Sequence, residues 1–396
     1  MAADVVVVGA GPAGAATAVL LADHGLAVTV LQRGPRARPK ICGEYLSPEA
    51  GRVLDRLGVL KAVDAGAVAL AGMRITAPDG AVLEARYGAI GAFRPYCGHA
   101  LGVSRATLDG ALLDRVRALP VDLREGVRVT DVVVDRGRVV GVVGTDAAGA
   151  RVEARAPVVI AADGRASVIA HRLGCRRPHR LARMALVTYV AGVPGCRDLG
   201  EIFVDPPDYA ILNPLSPDRI NLSLVVPLAH VVPWRSRLED FFVARVRQLP
   251  HLARRLAGAE RVRPIASMGP LAYHVAPPRE GGVLFVGDAA GFYDPFTGEG
   301  IFTALRSAEL ATETIVGALR AGNVSASALS AYTRARRAAF ADKARVTRVL
   351  QMMIARRSLA NLVARWLATR PSVLQALLGV IGDYVPPRAL PRLLLS

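Results

Sequence analysis

Asp4-Val5-Val6-Val7-Val8-Gly9-Ala10-Gly11-Pro12-Ala13-Gly14 is the stretch whose reading decides the fold. Four valines in a row, with no polar alternation, describe a strand buried on both faces of a parallel sheet. The glycines that follow have the spacing G-x-G-x-x-G. The first makes a tight turn, the second lets backbone approach a pyrophosphate, and the third lets a helix pack closely on the strand. Ala13 to Ala22 is small and apolar and reads as a helix ending near Gly25, after which Ala27 to Leu31 reads as the next strand. The helix start would turn free N–H groups and a positive dipole end toward a phosphate, so the unit is expected to bind a dinucleotide. One position departs from that pattern. The second strand should end in Asp or Glu to hold ribose hydroxyls, and here Gln32 is followed by Arg33. Gln32 still donates and accepts hydrogen bonds, which describes a variant ribose site, and Arg33 alone does not argue for a 2′-phosphate.

Outward from this unit, composition sets the bounds. At 396 residues and 52% hydrophobic, the chain can bury a large core, and two interleaved domains are expected. The formal charge of +17 rests on arginine, since Lys40, Lys61 and Lys343 are the only lysines. A GC-rich coding sequence explains that bias more simply than nucleic-acid binding, and with 5% aromatics no basic stripe is interleaved with aromatic rings. No nucleic-acid partner is expected, while phosphorylated cofactors and, weakly, an anionic membrane surface are. Cys42, Cys97, Cys175 and Cys196 lack metal-ligand spacing, so no metal is expected and the thiols read as reduced, in a cytoplasmic protein with at most peripheral membrane contact. The apolar run from Val5 to Ala22 is interrupted by the fingerprint glycines and a proline and does not read as a membrane span.

Further along, an Arg- and Pro-rich loop from Arg33 to Lys40 leads to Ile41-Cys42-Gly43-Glu44-Tyr45-Leu46-Ser47-Pro48-Glu49. Ser47 reads as an N-cap and Pro48 as the first residue of a helix reaching Leu57. Cys42 reads either as a cofactor-lining thiol or as a small buried hydrophobe. Val68 to Arg86 suggests two strands around the turn Pro78-Asp79-Gly80. Arg105, where a strand meets a helix, is either a phosphate ligand or a solvated arginine. Val158 to Ala162 reads as a strand returning to the first sheet, ending in the Asp163-Gly164 turn. Met184 to Val226 is a meander of strands on which a substrate face is expected, with Tyr209 and Asn213 as wall residues. Arg237 to Leu256 is expected to be helical, with His251 at the surface. Val283 to Val286 is a strand ending in Gly287-Asp288, followed by Pro295-Phe296-Thr297-Gly298-Glu299-Gly300-Ile301 and a long helix. A carboxylate at such a strand end accepts from sugar hydroxyls, and the glycine-flanked helix start leaves N–H groups free for a ring carbonyl. Leu329 to Ser396 reads as basic helices, either a solvated cap or a membrane-surface element.

Taken in this order, the fingerprint, the Asp163-Gly164 turn and Gly287-Asp288 with Pro295 and Gly298-Glu299-Gly300 resemble the FAD-dependent oxidoreductases of the para-hydroxybenzoate hydroxylase fold, over about residues 1 to 320. The resemblance implies an α/β fold: a Rossmann-type FAD-binding domain interleaved with an antiparallel-sheet substrate domain, plus C-terminal helices. The implied division is an FAD-binding domain from 1–66, 100–179 and 271–325, a substrate-domain hairpin at 67–99, a substrate sheet at 180–270, and helices at 326–396. It also implies cofactor roles for Gly9, Gly11, Pro12, Ala13, Gly14, Gln32, Arg33, Cys42, Gly43, Arg105, Asp163, Gly164, Gly287, Asp288, Pro295, Gly298, Glu299, Gly300 and Ile301. Cys42, Tyr45 and Pro295 would stand nearest the chemistry, with Arg94, Tyr96, Tyr209, Asn213 and Tyr293 on the substrate side. NAD(P)H would act transiently, since the sequence has no second fingerprint.

Within that superfamily, Lys40 to Pro48 and Pro295 to Ile301 are most similar to the geranylgeranyl reductase branch. That branch carries Tyr-x-Trp-x-Phe-Pro in its substrate strand, where this chain reads Tyr209-Ala210-Ile211-Leu212-Asn213-Pro214, and the tryptophan motif of flavin-dependent halogenases is absent. The leading expectation is an FAD monooxygenase, a hydroxylase or epoxidase, using NAD(P)H and O2 on an apolar or phenolic secondary metabolite. The alternative is a C=C reductase of a lipid with Cys42 as proton donor or flavin neighbour, and the second alternative a non-redox FAD-binding protein or cyclase.

Overall fold

In the computed structural model, residues 3–34 and 40–393 are described, so most of the Arg33 to Lys40 loop lies outside them. The first half of the chain runs β1 (Val5–Val8), α1 (Pro12–Asp23), β2 (Val28–Gln32), β3 (Gly72–Thr76), β4 (Val82–Arg86), α2 (Arg105–Arg117), β5 (Asp122–Glu125) and β6 (Val158–Ala161). It continues through β7 (Arg183–Ala191), β8 (Leu199–Asp205), β9 (Asp208–Ser216), β10 (Arg219–Pro227), β11 (Val283–Phe285), α3 (Gly300–Arg320), α4 (Ala326–Ile354), α5 (Arg357–Ala368) and α6 (Pro371–Ile381).

The valine run does what its pattern demands. β1 is the centre of a five-stranded parallel sheet in the order β11-β6-β1-β2-β5, and its side chains are buried on both faces. Val5 pairs with Val28 on one side and Val158 on the other. α1 and α3 cover one face, and their approach depends on small residues. A Cβ on Gly14 would sit 1.9 Å from the Gly9 carbonyl oxygen, and one on Gly287 would sit 2.7 Å from the Ala13 methyl. A small sheet of Arg128–Asp135, Arg138–Thr145 and Arg151–Arg155 closes the other face.

β7 to β10, with β3 and β4, form the larger antiparallel sheet, joined through the parallel pair β8–β3. Its two faces separate by the two-residue period of a strand. Leu186, Leu212, Leu222 and Leu224 pack under the helices Leu238–Gln248 and Pro250–Arg255, while Ala185, Val187, Ile211 and Val225 face inward. α4 to α6 span the two sheets: Tyr332 donates to the Phe285 carbonyl, and Leu367 and Val373 pack on Leu83.

Three local expectations change. The helix expected from Pro48 begins at Ala50, because Tyr45-Leu46 pairs with Leu101-Gly102 and draws Ser47 and Pro48 into the exit turn. The Ser47 hydroxyl is buried and caps nothing. The helix expected from Arg237 to Leu256 divides at Leu249, since Pro250 has no N–H to continue the ladder. His251 is half-buried, resting over Gly80 with Nε2 3.3 Å from the Pro78 carbonyl.

Candidate cofactor and substrate site

A cavity of about 850 Å³ runs from the glycine turn after β1 to the inward face of the antiparallel sheet. At its first end, α1 begins at Gly11 with Pro12 in its first turn, no side-chain cap and no acidic residue in the first turn. Its N–H groups are therefore left for a ligand. Gly9 takes φ +97°, where a Cβ would meet the Ala162 carbonyl oxygen at 2.6 Å, so the turn requires glycine. Gln32 occupies the acid's place at the end of β2, and its Oε1 accepts from Ala10 N at 2.9 Å. The side chain thus braces the turn while facing the cavity. Asp163 caps Val168 N through Oδ2 at 2.8 Å, whereas its Oδ1 is buried without a partner, and burial raises its carboxyl above the usual range.

The middle of the cavity is shaped by the Cys42-Gly43-Glu44 turn. Glu44 lies at φ +56° and is buried, and its carboxylate is the hub of the turn. It accepts from Arg105 N at 2.8 Å, Tyr189 Oη at 3.0 Å and Asn221 Nδ2 at 2.9 Å. Asn213 and Asn221, from β9 and β10, donate to the Gly43 and Cys42 carbonyls at 2.7 and 2.8 Å. The antiparallel sheet therefore holds this turn directly. Burial pushes the Cys42 thiol up, against the charge of Arg105 and the Glu44 N–H that points at its sulfur, so it stands as a neutral acid. Arg105 forms a bidentate pair with Asp109, which Lys40 also meets at 2.7 Å. These two cations lie along the cavity beside Gly11.

At the far end, Asp288 follows β11 and lines the cavity with no hydrogen-bond donor to its carboxylate among the described residues. Burial raises that carboxyl too, opposed by Arg105 and Arg165. Beyond it, Pro295, Gly298, Gly300 and Ile301 border the space as α3 begins. Gly298, at φ +66°, lies flat over the ring of Tyr45, where a Cβ would come within 2.6 Å. The loop is anchored from outside. Asp294 accepts from Tyr209 Oη at 2.7 Å, Gln351 Nε2 at 2.7 Å and Phe296 N at 3.0 Å. Glu299 faces Thr347 and the buried Lys343 at 3.3 and 3.5 Å, and Lys343 is clamped in turn by Asp383.

The structure brings most sequence-derived candidates to this one cavity: Gly9, Gly11, Pro12, Ala13, Gln32, Arg33, Cys42, Gly43, Tyr45, Arg105, Asp163, Gly164, Asn213, Asp288, Pro295, Gly298, Gly300 and Ile301. Others lie behind it. Gly14 and Gly287 serve close packing, Tyr209 braces Asp294, and Glu299 and Tyr293 face a second cavity. Arg94 and Tyr96, expected on the substrate side, are exposed and do not border it. Arg94 binds the Gly91 and Phe93 carbonyls, and Tyr96 covers Gly51 and donates to Asp55, so local partners hold both outside. The hub role of Glu44 and the parts of Asn221, Tyr189, Gln351 and Lys343 escaped the sequence reading. One signal was present: Asn221 and Ser223 put polar groups at alternate positions of a strand whose other residues after Arg219 are apolar.

The uncapped α1 start, the partnerless Asp163 and Asp288 oxygens and the glycine-only turn fit a long ligand with phosphates near one end and hydroxyls along its length. That set of donors and acceptors suits FAD. Fold and site together define a flavin-dependent α/β oxidoreductase. The chain belongs to the FAD binding domain family, which it matches over residues 2–347.

Among relatives, it is 30% identical over 343 residues to digeranylgeranylglycerophospholipid reductase 2 of Methanopyrus kandleri, covering 83% of this chain and 81% of that protein. It is 26% identical over 358 residues to conditioned medium factor receptor 1 of Dictyostelium discoideum, spanning 83% of this chain and 66% of that protein. The fold is shared with flavin-dependent brominase Bmp2, at TM-score 0.85 and 21% identity over 100% of this chain and 98% of that one. Among the described residues, no helix is long and apolar enough to cross a membrane, and no cluster of His, Cys, Asp and Glu has the form of a metal site.

Proposed function

We propose that the protein is an FAD-dependent reductase that adds hydrogen across a carbon–carbon double bond of an aliphatic, lipid-like substrate. The observation that carries this reading is the pairing of an aliphatic wall with one neutral acid. Met73, Ala185, Val187, Ile211, Val225 and Met268 face the cavity, and none of them offers a base to activate a phenol. Glu44 and Tyr45 are already engaged, Tyr45 Oη with Tyr87 Oη at 2.6 Å, and burial raises the Tyr45 hydroxyl far above its usual value. Cys42, between the wall and the cofactor turn, keeps its proton.

When bound and reduced, FAD supplies a hydride to one alkene carbon. Cys42 Sγ–H supplies the proton to the other carbon, leaving a C–C single bond and a thiolate beside the Arg105 guanidinium. Water returns the proton. The named activity of the Methanopyrus relative, a lipid reductase, supports the substrate class. Ile211 and Asn213 replace the aromatic residues of the prenyl-reductase signature, which points to a pocket of different shape, with a polar end at Asn213. A second reading, oxygen transfer to the same apolar substrate from NAD(P)H and O2, is favoured by the water-excluding flank of Leu271, Phe292 and Phe296.

Mass spectrometry of products separates the two. FAD-loaded protein reduced with dithionite under nitrogen should add two hydrogens to a polyprenyl lipid. Addition of one oxygen, only in air, would establish the second reading instead. Cys42→Ala should retain FAD and lose turnover by roughly a hundredfold, the usual worth of a positioned acid.

A further inference from the structure

Among the described residues, the large apolar side chains left in solvent fall into two groups. Val82, Tyr96, Val134, Val232, Val243 and Val262 are scattered along the chain, whereas Val349, Met352, Leu362 and Trp366 follow closely on the last turns of α4 and on α5. α5 has two distinct faces. Ala364 and Leu367 pack against Leu83 of β4, while Leu362 and Trp366 stand one turn apart on the outside, 65% and 44% exposed.

Positive charge gathers on the same segment. No acidic residue occurs between Asp342 and Asp383, a run that holds Lys343 and six arginines. Four of these cations are paired: Lys343 with Asp383, Arg345 with Asp342, Arg357 with Asp205 and Arg365 with Asp79. Arg348, Arg356 and Arg370 have no carboxylate partner among the described residues. Arg356 stands at the N-terminus of α5, whose first turn has no acid, and a cation there opposes the helix dipole, so folding does not explain it. Arg370 follows the other end, its guanidinium 4.6 Å from the centre of the Trp366 ring. Unpaired cations thus flank the exposed apolar face on both sides.

A protein partner would select something else. The core of a protein interface is depleted of charge, and a stable one removes about 800 Å² per partner from water. A phospholipid surface asks for less: anionic headgroups take arginines, the acyl boundary takes leucine, and tryptophan settles at the level between. We propose that the outer face of α5, with Arg348 and Met352 at the adjoining end of α4, docks the protein on an anionic phospholipid surface, lying among the headgroups without crossing the bilayer. The proposal goes beyond the reductase reading and does not depend on it, although a lipid-like substrate would be collected from such a surface. Arg348, with Arg336 and Arg337, also lines a second cavity of about 590 Å³, which meets the cofactor space at Asp288, Phe292 and Gly300. Docking would set the outer end of that wall beside the headgroups.

The test is sedimentation of the full-length, FAD-loaded protein with vesicles of phosphatidylcholine, alone or mixed with phosphatidylserine. The protein should pellet with the mixed vesicles and far less with the neutral ones, and salt should release it. Arg356→Gln and Arg370→Gln should each weaken partitioning about fivefold, and Leu362→Ser combined with Trp366→Ser about tenfold or more. All four side chains are exposed, so circular dichroism and flavin content should stay as they are. Val243→Ser, which removes an exposed apolar residue from the helix Leu238–Gln248, should change nothing. Trp234 and Trp366 are the only tryptophans, so in Trp234→Phe protein the emission of Trp366 should be quenched by mixed vesicles whose phosphatidylcholine is brominated in its acyl chains.

Failure to pellet with mixed vesicles at low salt, partitioning unmoved by these α5 variants, or an unquenched Trp366 would overturn the proposal. So would a concentration-dependent increase in mass that Leu362→Ser with Trp366→Ser abolishes, which assigns the face to a second copy of this chain. Vesicle binding without lipid product leaves the docking face standing and refutes the reductase reading, whereas product from detergent-dispersed lipid without vesicle binding refutes the docking face alone.

Discussion

At the first end of the cofactor cavity the groups facing the ligand are backbone amides of one turn, held by Gln32 and Ala162 from neighbouring strands. At the ring end they are held by side chains drawn from β9, α4 and the segment after α6: Tyr209, Gln351, Lys343 and Asp383 around Asp294 and Glu299. A backbone cradle tolerates no added atom but little depends on any one side chain. A side-chain network tolerates changes of shape, but its buried polar members depend on one another. On the proposed placement of FAD the difference separates affinity from tuning: the first end would grip the cofactor, and the second would set the surroundings of its reactive part.

The largest expected effect breaks the first end. Gly14→Val drives a side chain into the Gly9 carbonyl, and the purified protein should be folded yet essentially colourless, read as the ratio of flavin to protein absorbance. Asp294→Ala tests the other end, leaving the Tyr209 hydroxyl and the Gln351 amide buried without their partner. Chemical denaturation should show a loss of about 3 kcal/mol, with FAD content largely kept. If Asp294→Ala emptied the protein of FAD as fully as Gly14→Val, the division between the ends would be wrong.

A finer test is pH. Burial pushes the Asp383 carboxyl up to about 6, above its unfolded value, even beside Lys343. The folded state therefore binds this proton more tightly than the unfolded chain, and the contribution of Asp383 to stability falls as pH rises from about 4 to about 6. Thermal midpoints of the protein, measured relative to Asp383→Asn, should decline across that window, and a rise would show that the ion pair dominates. The smallest effect is Gln32→Leu. Loss of one acceptor for Ala10 N should cost about 1 kcal/mol and weaken FAD several-fold, visible by titrating apoprotein with FAD.

The two ends also differ in how plainly they can be read. Gly9 to Gln32 is a local unit whose parts are dictated by strand, turn and helix, and the valine run, the glycine spacing and the Gln32 departure all proved structural facts of one cavity. Asp163 and Asp288 were legible for a similar reason, since each ends a strand of the same parallel sheet. The hub at Glu44 was not. Its three partners come from Arg105, Tyr189 and Asn221, and nothing in a Cys-Gly-Glu turn reveals which distant strands will cross it. Arg94 and Tyr96 misled because an aromatic, polar loop looks alike whether it faces a pocket or solvent.

From residue order alone came the parallel sheet and the glycine turn at its centre, because short-range sterics and hydrogen bonding decide those within about thirty residues. The class of cofactor came from the resemblance of three separated blocks to a known family. Tertiary structure alone decided which faces of the antiparallel strands meet the cofactor turn, which acids are buried with partners, and that three arginines of α4 border a second space. Those facts depend on contacts between segments far apart in the chain, whose geometry exists only after the sheets have packed.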